Sequence, residues 1–235
     1  MNLTWAAVGA LVGLLAGGSL RGTVYRHSVP HGEPERTTCA SCDRPVARLL
    51  VRPRCRHCRG RLGTPLVLEL VTAAVLAVLL GRFGAQYDTA AFAFLGVLGV
   101  ALATVDVAVQ RLPDRLTLPA YPIAVALFAA AAIAGHQPDA LLRALLGGLA
   151  LAGGYLVLAL IRPGQLGTGD IKLAGLVGMA LAWLGWPILI VGATLGFVLL
   201  AASSLVLLAA RRITLGSAIS FGPFMLTGAL LATVL

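Results

Sequence analysis

Eight apolar runs, each close to the length of a membrane-spanning helix, leave this chain few ways to fold. They cover residues 3–20, 65–80, 90–109, 116–134, 140–161, 171–184, 187–210 and 217–235. A helical span of roughly 17 to 22 residues crosses a hydrocarbon core of about 30 Å. Apolar residues make up 59% of the 235, more than a soluble domain of this length tolerates as exposed surface. The expected class is therefore all-α: a polytopic membrane helical bundle of about eight transmembrane helices. The net charge of +9 would suggest nucleic acid in a soluble protein. Here the basic residues sit between the runs, membrane sidedness explains them, and no nucleic-acid partner is expected.

The first run has no basic residue ahead of it and is followed by Arg21 and Arg26. A cleaved signal peptide has the opposite charge order, so the run reads as a retained span with its N-terminus outside. The one long polar segment, residues 21–64, carries ten arginines: Arg21, Arg26, Arg36, Arg44, Arg48, Arg52, Arg54, Arg56, Arg59 and Arg61. Only Glu33, Glu35 and Asp43 oppose them, which favours the cytoplasm. These arginines either enforce topology and attract anionic lipid headgroups or help to position a substrate at the membrane surface. Strict alternation of the spans puts the loops around Arg111 and Arg115, residues 162–172, and Arg211 with Arg212 inside as well. Arg82 and Arg143 fall outside, so sixteen of the eighteen basic residues (18 − 2) are cytoplasmic. The expected organisation is a first transmembrane helix (1–20), a cytoplasmic loop domain (21–64) and a seven-helix membrane region (65–235). Gly9, Gly13, Gly17, Gly147, Gly148, Gly153 and Gly154 read as small residues for close helix packing.

All four cysteines lie in the polar loop, as Cys39-Ala-Ser-Cys42 and Cys55-Arg-His-Cys58. Two such pairs can close a tetrahedral thiolate site, and thiolates suit zinc. A reducing compartment argues against disulfides; redox chemistry is the alternative. With four sulfur ligands a metal has no open position, so zinc here would fold the loop and leave water unactivated. His57 reads as a solvated neighbour of the ligands.

Acids at the edge of a span are costly unless paired or facing water, which makes them functional candidates. Asp106 follows the apolar residues 97–105 and precedes Val107-Ala108-Val109, still within membrane depth. Asp170 opens a later span inside Gly167-Thr168-Gly169-Asp170-Ile171-Lys172, where the glycines are expected to let the backbone turn sharply. The charge threading puts both acids on one side of the membrane. Asp170 alone could equally be a helix cap. Facing each other in a low-dielectric cleft, two carboxylates share a proton. One then takes a proton from water while the other protonates a scissile carbonyl. Asp114, after Pro113, reads as a turn or cap residue. Lys172 reads either as a snorkelling interfacial lysine or as a charge that attracts the scissile region or tunes the pair.

These residues together resemble the type IV prepilin peptidases, bacterial membrane aspartic peptidases. The family's Gly-x-Gly-Asp motif with a following Lys matches Gly167, Gly169, Asp170 and Lys172. Its other motif, an aspartate followed after a short span by Pro-Asp, matches Asp106 with Pro113 and Asp114. The twin cysteine pairs resemble the family's cytoplasmic zinc-binding domain, residues 65–72 with Glu69 the span that follows it, and Phe221-Gly222-Pro223 a motif before the last span. The resemblance runs almost end to end. It implies an inner-membrane endopeptidase with Asp106 and Asp170 as catalytic residues and Gly167, Gly169 and Lys172 in support. A structural zinc would sit on Cys39, Cys42, Cys55 and Cys58. The implied partners are prepilin or pseudopilin precursors, cut on the cytoplasmic side, and membrane lipid. Many members also methylate the new N-terminus with S-adenosylmethionine. The family's Gly-Ser-Phe-Leu-Asn…Tyr-Arg segment stands here as Gly18-Ser19-Leu20-Arg21 up to Tyr25-Arg26, without the asparagine, a difference that bears on methylation more than on cleavage.

Two rivals come from other classes. A proton-coupled transporter would use the two acids to carry protons, but it gives no reason for the cysteine loop, and no internal repeat is evident. A non-catalytic pilus assembly factor would use that loop for docking, but would not need both aspartates.

Overall fold

The computed structural model describes residues 2–30, 33–46, 54–60, 62–63, 66–162, 166–212, 214 and 219–235. Arg48, Arg52, Arg61, Thr64, Pro65 and Ser217, singled out or used as run ends above, lie outside the described residues. In chain order the helices are α1 (Leu3–His27), α2 (Val67–Phe83), α3 (Thr89–Val109), α4 (Asp114–Gly135), α5 (Pro138–Ile161), α6 (Thr168–Leu184), α7 (Trp186–Ala209) and α8 (Gly222–Val234). Among the described residues the only extended pairing is isolated bridging in the cysteine loop, as between Thr38 and Pro45, so the all-α expectation holds. Helices α1, α3, α4, α5 and α7 have the length and apolar composition to cross a membrane. Helices α2 and α6 have 17 residues each, a rise of about 26 Å, at the short end for a span.

The chain forms two compact units, Met1–Pro113 and Asp114–Leu235. In the first, α1 and α2 run antiparallel with their backbones in contact. The glycines of α1 recur every fourth residue and so line one face. A Cβ on Gly13 would lie 2.5 Å from the Ala73 Cα, and one on Gly17 2.6 Å from the Glu69 Cα; Gly9 abuts the Leu76 carbonyl in the same way. This is close packing by small residues, as expected. Helix α1 does not stop where its apolar run does. It continues to His27, with Arg26 and His27 in the last turn, where positive charge complements the helix dipole. Arg21, assigned above to the loop, is therefore a helical residue, and it is buried against Glu69 of α2.

In the second unit α6 is the central helix, with every residue from Leu173 to Met179 buried. Gly147 and Gly148 of α5 let it approach: a Cβ on Gly148 would meet the Gly175 carbonyl at 2.9 Å, and one on Gly178 the Gly147 carbonyl at 2.5 Å. Arg143, also on α5, donates from Nε to the Ala182 carbonyl and from Nη2 to the Trp183 carbonyl, both at 2.6 Å. It satisfies acceptors that the last turn of α6 leaves unpaired. Gly153 and Gly154 correct the small-residue expectation. They are exposed, and a Cβ at either would meet nothing within 4 Å; by that point on α5 the pair faces away from α6.

Candidate functional site

The Asp170 turn begins α6 and so sits at one end of the most buried helix of its unit. Gly167 is the N-cap, and the chain closes on itself there. The Asp170 N–H donates to the Gly167 carbonyl at 3.0 Å, and the Gly167 N–H donates back to Asp170 Oδ2 at 3.3 Å. The capping role is thus real, and it occupies the Oδ2 side of the carboxylate. The glycine is needed for a reason other than the expected one. Gly167 has φ −72° and ψ 144°, a conformation open to any residue. What a side chain would disturb is space, because a Cβ there would lie 3.3 Å from Asp170 Oδ2. Gly169 likewise has no positive φ.

Helix α4 braces this turn. Lys172 Nζ donates to Asp114 Oδ1 at 2.5 Å, and the Tyr121 hydroxyl donates to the Lys172 carbonyl at 2.7 Å. Asp114 is the first residue of α4, where a carboxylate suits the dipole. It is also the partner of Lys172, a role beyond the turn or cap expected of it. The ammonium of Lys172 is correspondingly engaged by a carboxylate instead of snorkelling alone. Gly175, one turn on, leaves room for the Tyr121 ring.

Asp106 belongs to the other unit. It lies near the end of α3 and is 5% exposed, next to Val105 at 0%. Its carbonyl accepts the Gln110 N–H at 2.7 Å, where Gln110 closes the helix in the left-handed conformation. Asp106 is thus buried on an apolar helix, one turn from its end.

The four cysteines do come together. All four sulfurs lie within 4.8 Å of one another, and no disulfide joins them. Cys39 and Cys58 are 3.7 Å apart at sulfur, as are Cys42 and Cys55. The edge of a tetrahedron with metal–sulfur bonds of about 2.3 Å is about 3.8 Å, so the spacing fits a tetrahedral ion. The two knuckles repeat one backbone pattern. The Cys39 N–H donates to Arg44 O and Asp43 N–H to Cys39 O; the Cys55 N–H donates to Gly60 O and Arg59 N–H to Cys55 O. Asp43 (φ 54°) and Arg59 (φ 57°) take the same left-handed turn in each. Backbone N–H groups of Cys58 and His57, helped by the Cys42 and Cys39 thiols, pull the Cys55 thiol down to about 6. The Arg44 N–H lowers Cys42, but burial and the three surrounding sulfurs outweigh it and push that thiol up to about 12. His57 is exposed, as expected.

Two features escaped the sequence reading. Tyr25 near the end of α1 ties the knuckles to the helix: its hydroxyl donates to Thr38 O at 3.2 Å and accepts the Ala40 N–H at 3.1 Å. Arg21 and Glu69 form a buried ion pair in which Arg21 Nε and Nη1 and Glu69 Oε2 have no hydrogen-bond partner among the described residues. Charges of opposite sign inside two neighbouring apolar helices were the available signal.

Comparison with known proteins places these features in context. The type IV leader peptidase family matches residues 92–211, a segment that contains both aspartates. A prepilin leader peptidase/N-methyltransferase of Pseudomonas putida is 31% identical over 77% of this chain and 62% of its own. Proteins of that name from Burkholderia pseudomallei (35% identical, 78% and 59% covered) and Aeromonas salmonicida (31%, 81% and 68%) are similar. The match thus takes in less than two thirds of the first two of these relatives. No solved structure matches the chain.

Proposed function

The chain belongs to the type IV leader peptidase family, and from that premise we propose that it is a membrane aspartic endopeptidase that removes the basic leader of type IV prepilins or pseudopilins. The observation that carries the reading is the pair of family aspartates at the ends of two apolar helices, one buried in α3 and one capping α6. In this reading Asp106 and Asp170 work as a catalytic pair at the cytoplasmic edge of the inner membrane, with the N-terminus outside. Negative charge is better placed at a helix start than at a helix end. Asp170 is therefore the base that takes a proton from water, and Asp106 the acid that gives one to the scissile carbonyl. The substrate's own apolar helix lies in the bilayer.

The cysteine knuckles hold a structural zinc ion with all four positions filled by sulfur. When bound, the metal fixes the fold of the loop; Cys39, Cys42, Cys55 and Cys58 hold it. Lys172 and Asp114 clamp the first turn of α6 and so keep Asp170 in place. The family assignment leaves the transporter alternative without support. The relatives' names add an N-methyltransferase activity, but Arg21 stands in the segment where the family pattern has asparagine. We therefore assign cleavage as the primary activity. The test is cleavage of a prepilin by Asp106→Asn and Asp170→Asn variants at matched membrane levels, with labelled S-adenosylmethionine present. Each variant is expected to lose cleavage by about a thousandfold. A normal rate from either would refute the mechanism. Label on the pilin cut by the unaltered protein would add the second activity.

A further inference from the structure

One buried side chain beside the Asp170 turn has no place in the reading above. The antiparallel packing of α5 on α6 fixes a register in which Gly147 lies against Gly178. Counting two turns onward along α5 and two turns back along α6 (155 − 147 = 8; 178 − 170 = 8) brings Tyr155 opposite Asp170. The charge of Asp170 acts on the Tyr155 phenol, which places the two groups within electrostatic reach.

The surroundings of Tyr155 are otherwise apolar. The residue is 2% exposed. Its ring lies 5.7 Å from that of Phe221 and 5.6 Å from that of Phe197, and those two are 5.1 Å apart. Three rings from α5, α7 and the N-cap of α8 thus pack together, and the buried Tyr155 hydroxyl has no hydrogen-bond partner among the described residues. Buried hydroxyls are nearly always bonded, because leaving one unmatched costs more than a phenylalanine would. A tyrosine kept in a phenylalanine environment, beside a carboxylate, is a donor reserved for a group that arrives from outside.

We propose that Tyr155 is a catalytic residue of the Asp170 half-site, whose O–H donates to the carbonyl oxygen of the peptide bond presented to Asp170. Water adds to the carbonyl carbon, one of its protons passes to Asp170, and the π pair moves onto the oxygen. That oxygen takes a proton from Asp106 and accepts the hydrogen bond of Tyr155. Collapse of the adduct re-forms the C=O, returns a hydroxyl proton to Asp106 and breaks the C–N bond, and the departing nitrogen takes the proton held by Asp170. No oxidant or further reactant enters. The donor is fixed in an apolar pocket before the substrate arrives, which is the condition under which such a bond favours the transition state over the bound substrate.

This inference rests on the peptidase reading, and the test separates the two. Tyr155→Phe, Asp170→Asn and the unaltered full-length protein are compared in proteoliposomes on a synthetic prepilin. Tyr155→Phe keeps the ring contacts and removes only the oxygen. It is expected to lower kcat by about tenfold to a hundredfold with KM little changed and a Tm no lower than that of the unaltered protein. Difluorotyrosine installed at 155 restores both ring and donor and is expected to restore turnover. A wild-type kcat in Tyr155→Phe, a kcat loss that comes only with a lowered Tm, or no rescue by difluorotyrosine overturns the proposal. An active Asp170→Asn variant would instead bring down the peptidase reading itself.

Discussion

The two aspartates sit in different surroundings. Asp106 is 5% exposed, beside fully enclosed Val105 and near Leu102, also fully enclosed, close to the end of a 21-residue apolar helix. Asp170 sits on a half-buried turn and is kept there by polar contacts, its own bond from Gly167 and the brace of Lys172, Asp114 and Tyr121. A deeply buried acid moves only with the helix that carries it. A half-buried one on a capped turn can be loosened by removing a single charge from its brace. The difference separates the general cost of losing an acid from the particular cost of losing its support.

The largest expected effect does not distinguish the two. Replacing either carboxylate with its amide removes one of the two proton-transfer groups, the donor at Asp106 or the acceptor at Asp170, for about a thousandfold loss of cleavage. A second perturbation acts on one side only. Cys39→Ser with Cys42→Ser is expected to release zinc, measured by metal analysis of the purified protein, and to open the loop to protease. The Asp170 turn in the other unit should keep its hydrogen-exchange protection. Absence of zinc from the native protein would remove the metal assignment. The smallest effect is expected at the brace. Lys172 and Asp114 are 32% and 58% exposed at the side chain, and partly exposed pairs are worth up to about 1 kcal/mol. Lys172→Met should therefore slow cleavage by about fivefold or less. A thousandfold loss would mean that the ammonium touches the reacting groups.

What could be read in the sequence was what depends on neighbours along the chain. Apolar runs of span length gave the helices, Cys-x-x-Cys spacing gave the metal cluster, and Gly167 through Asp170 gave a helix start. What could not be read depends on partners brought near by folding. Arg21 meets a glutamate 48 residues away, so the end of α1 was placed too early, at the first charge. Lys172 meets a carboxylate 58 residues away, a partner that neither reading of it, as an interfacial cation or as a charge near the scissile region, contains. Glycine was read too uniformly: Gly13 and Gly17 make close contacts, whereas Gly153 and Gly154 make none. Composition cannot say which face of a helix is covered. Tyr155 was passed over for the same reason, since one phenol in an apolar run looks like any other core ring until its hydroxyl is found without a partner.

The central claim is that Asp106 and Asp170 serve one reaction as a pair. Substituting both as Asp106→Cys and Asp170→Cys and treating membranes with a short bismaleimide tests it directly, with the bridged peptides identified by mass spectrometry. The account predicts a covalent link between positions 106 and 170. Modification of both cysteines by a monofunctional maleimide, with no link formed by the bifunctional reagent, would contradict it.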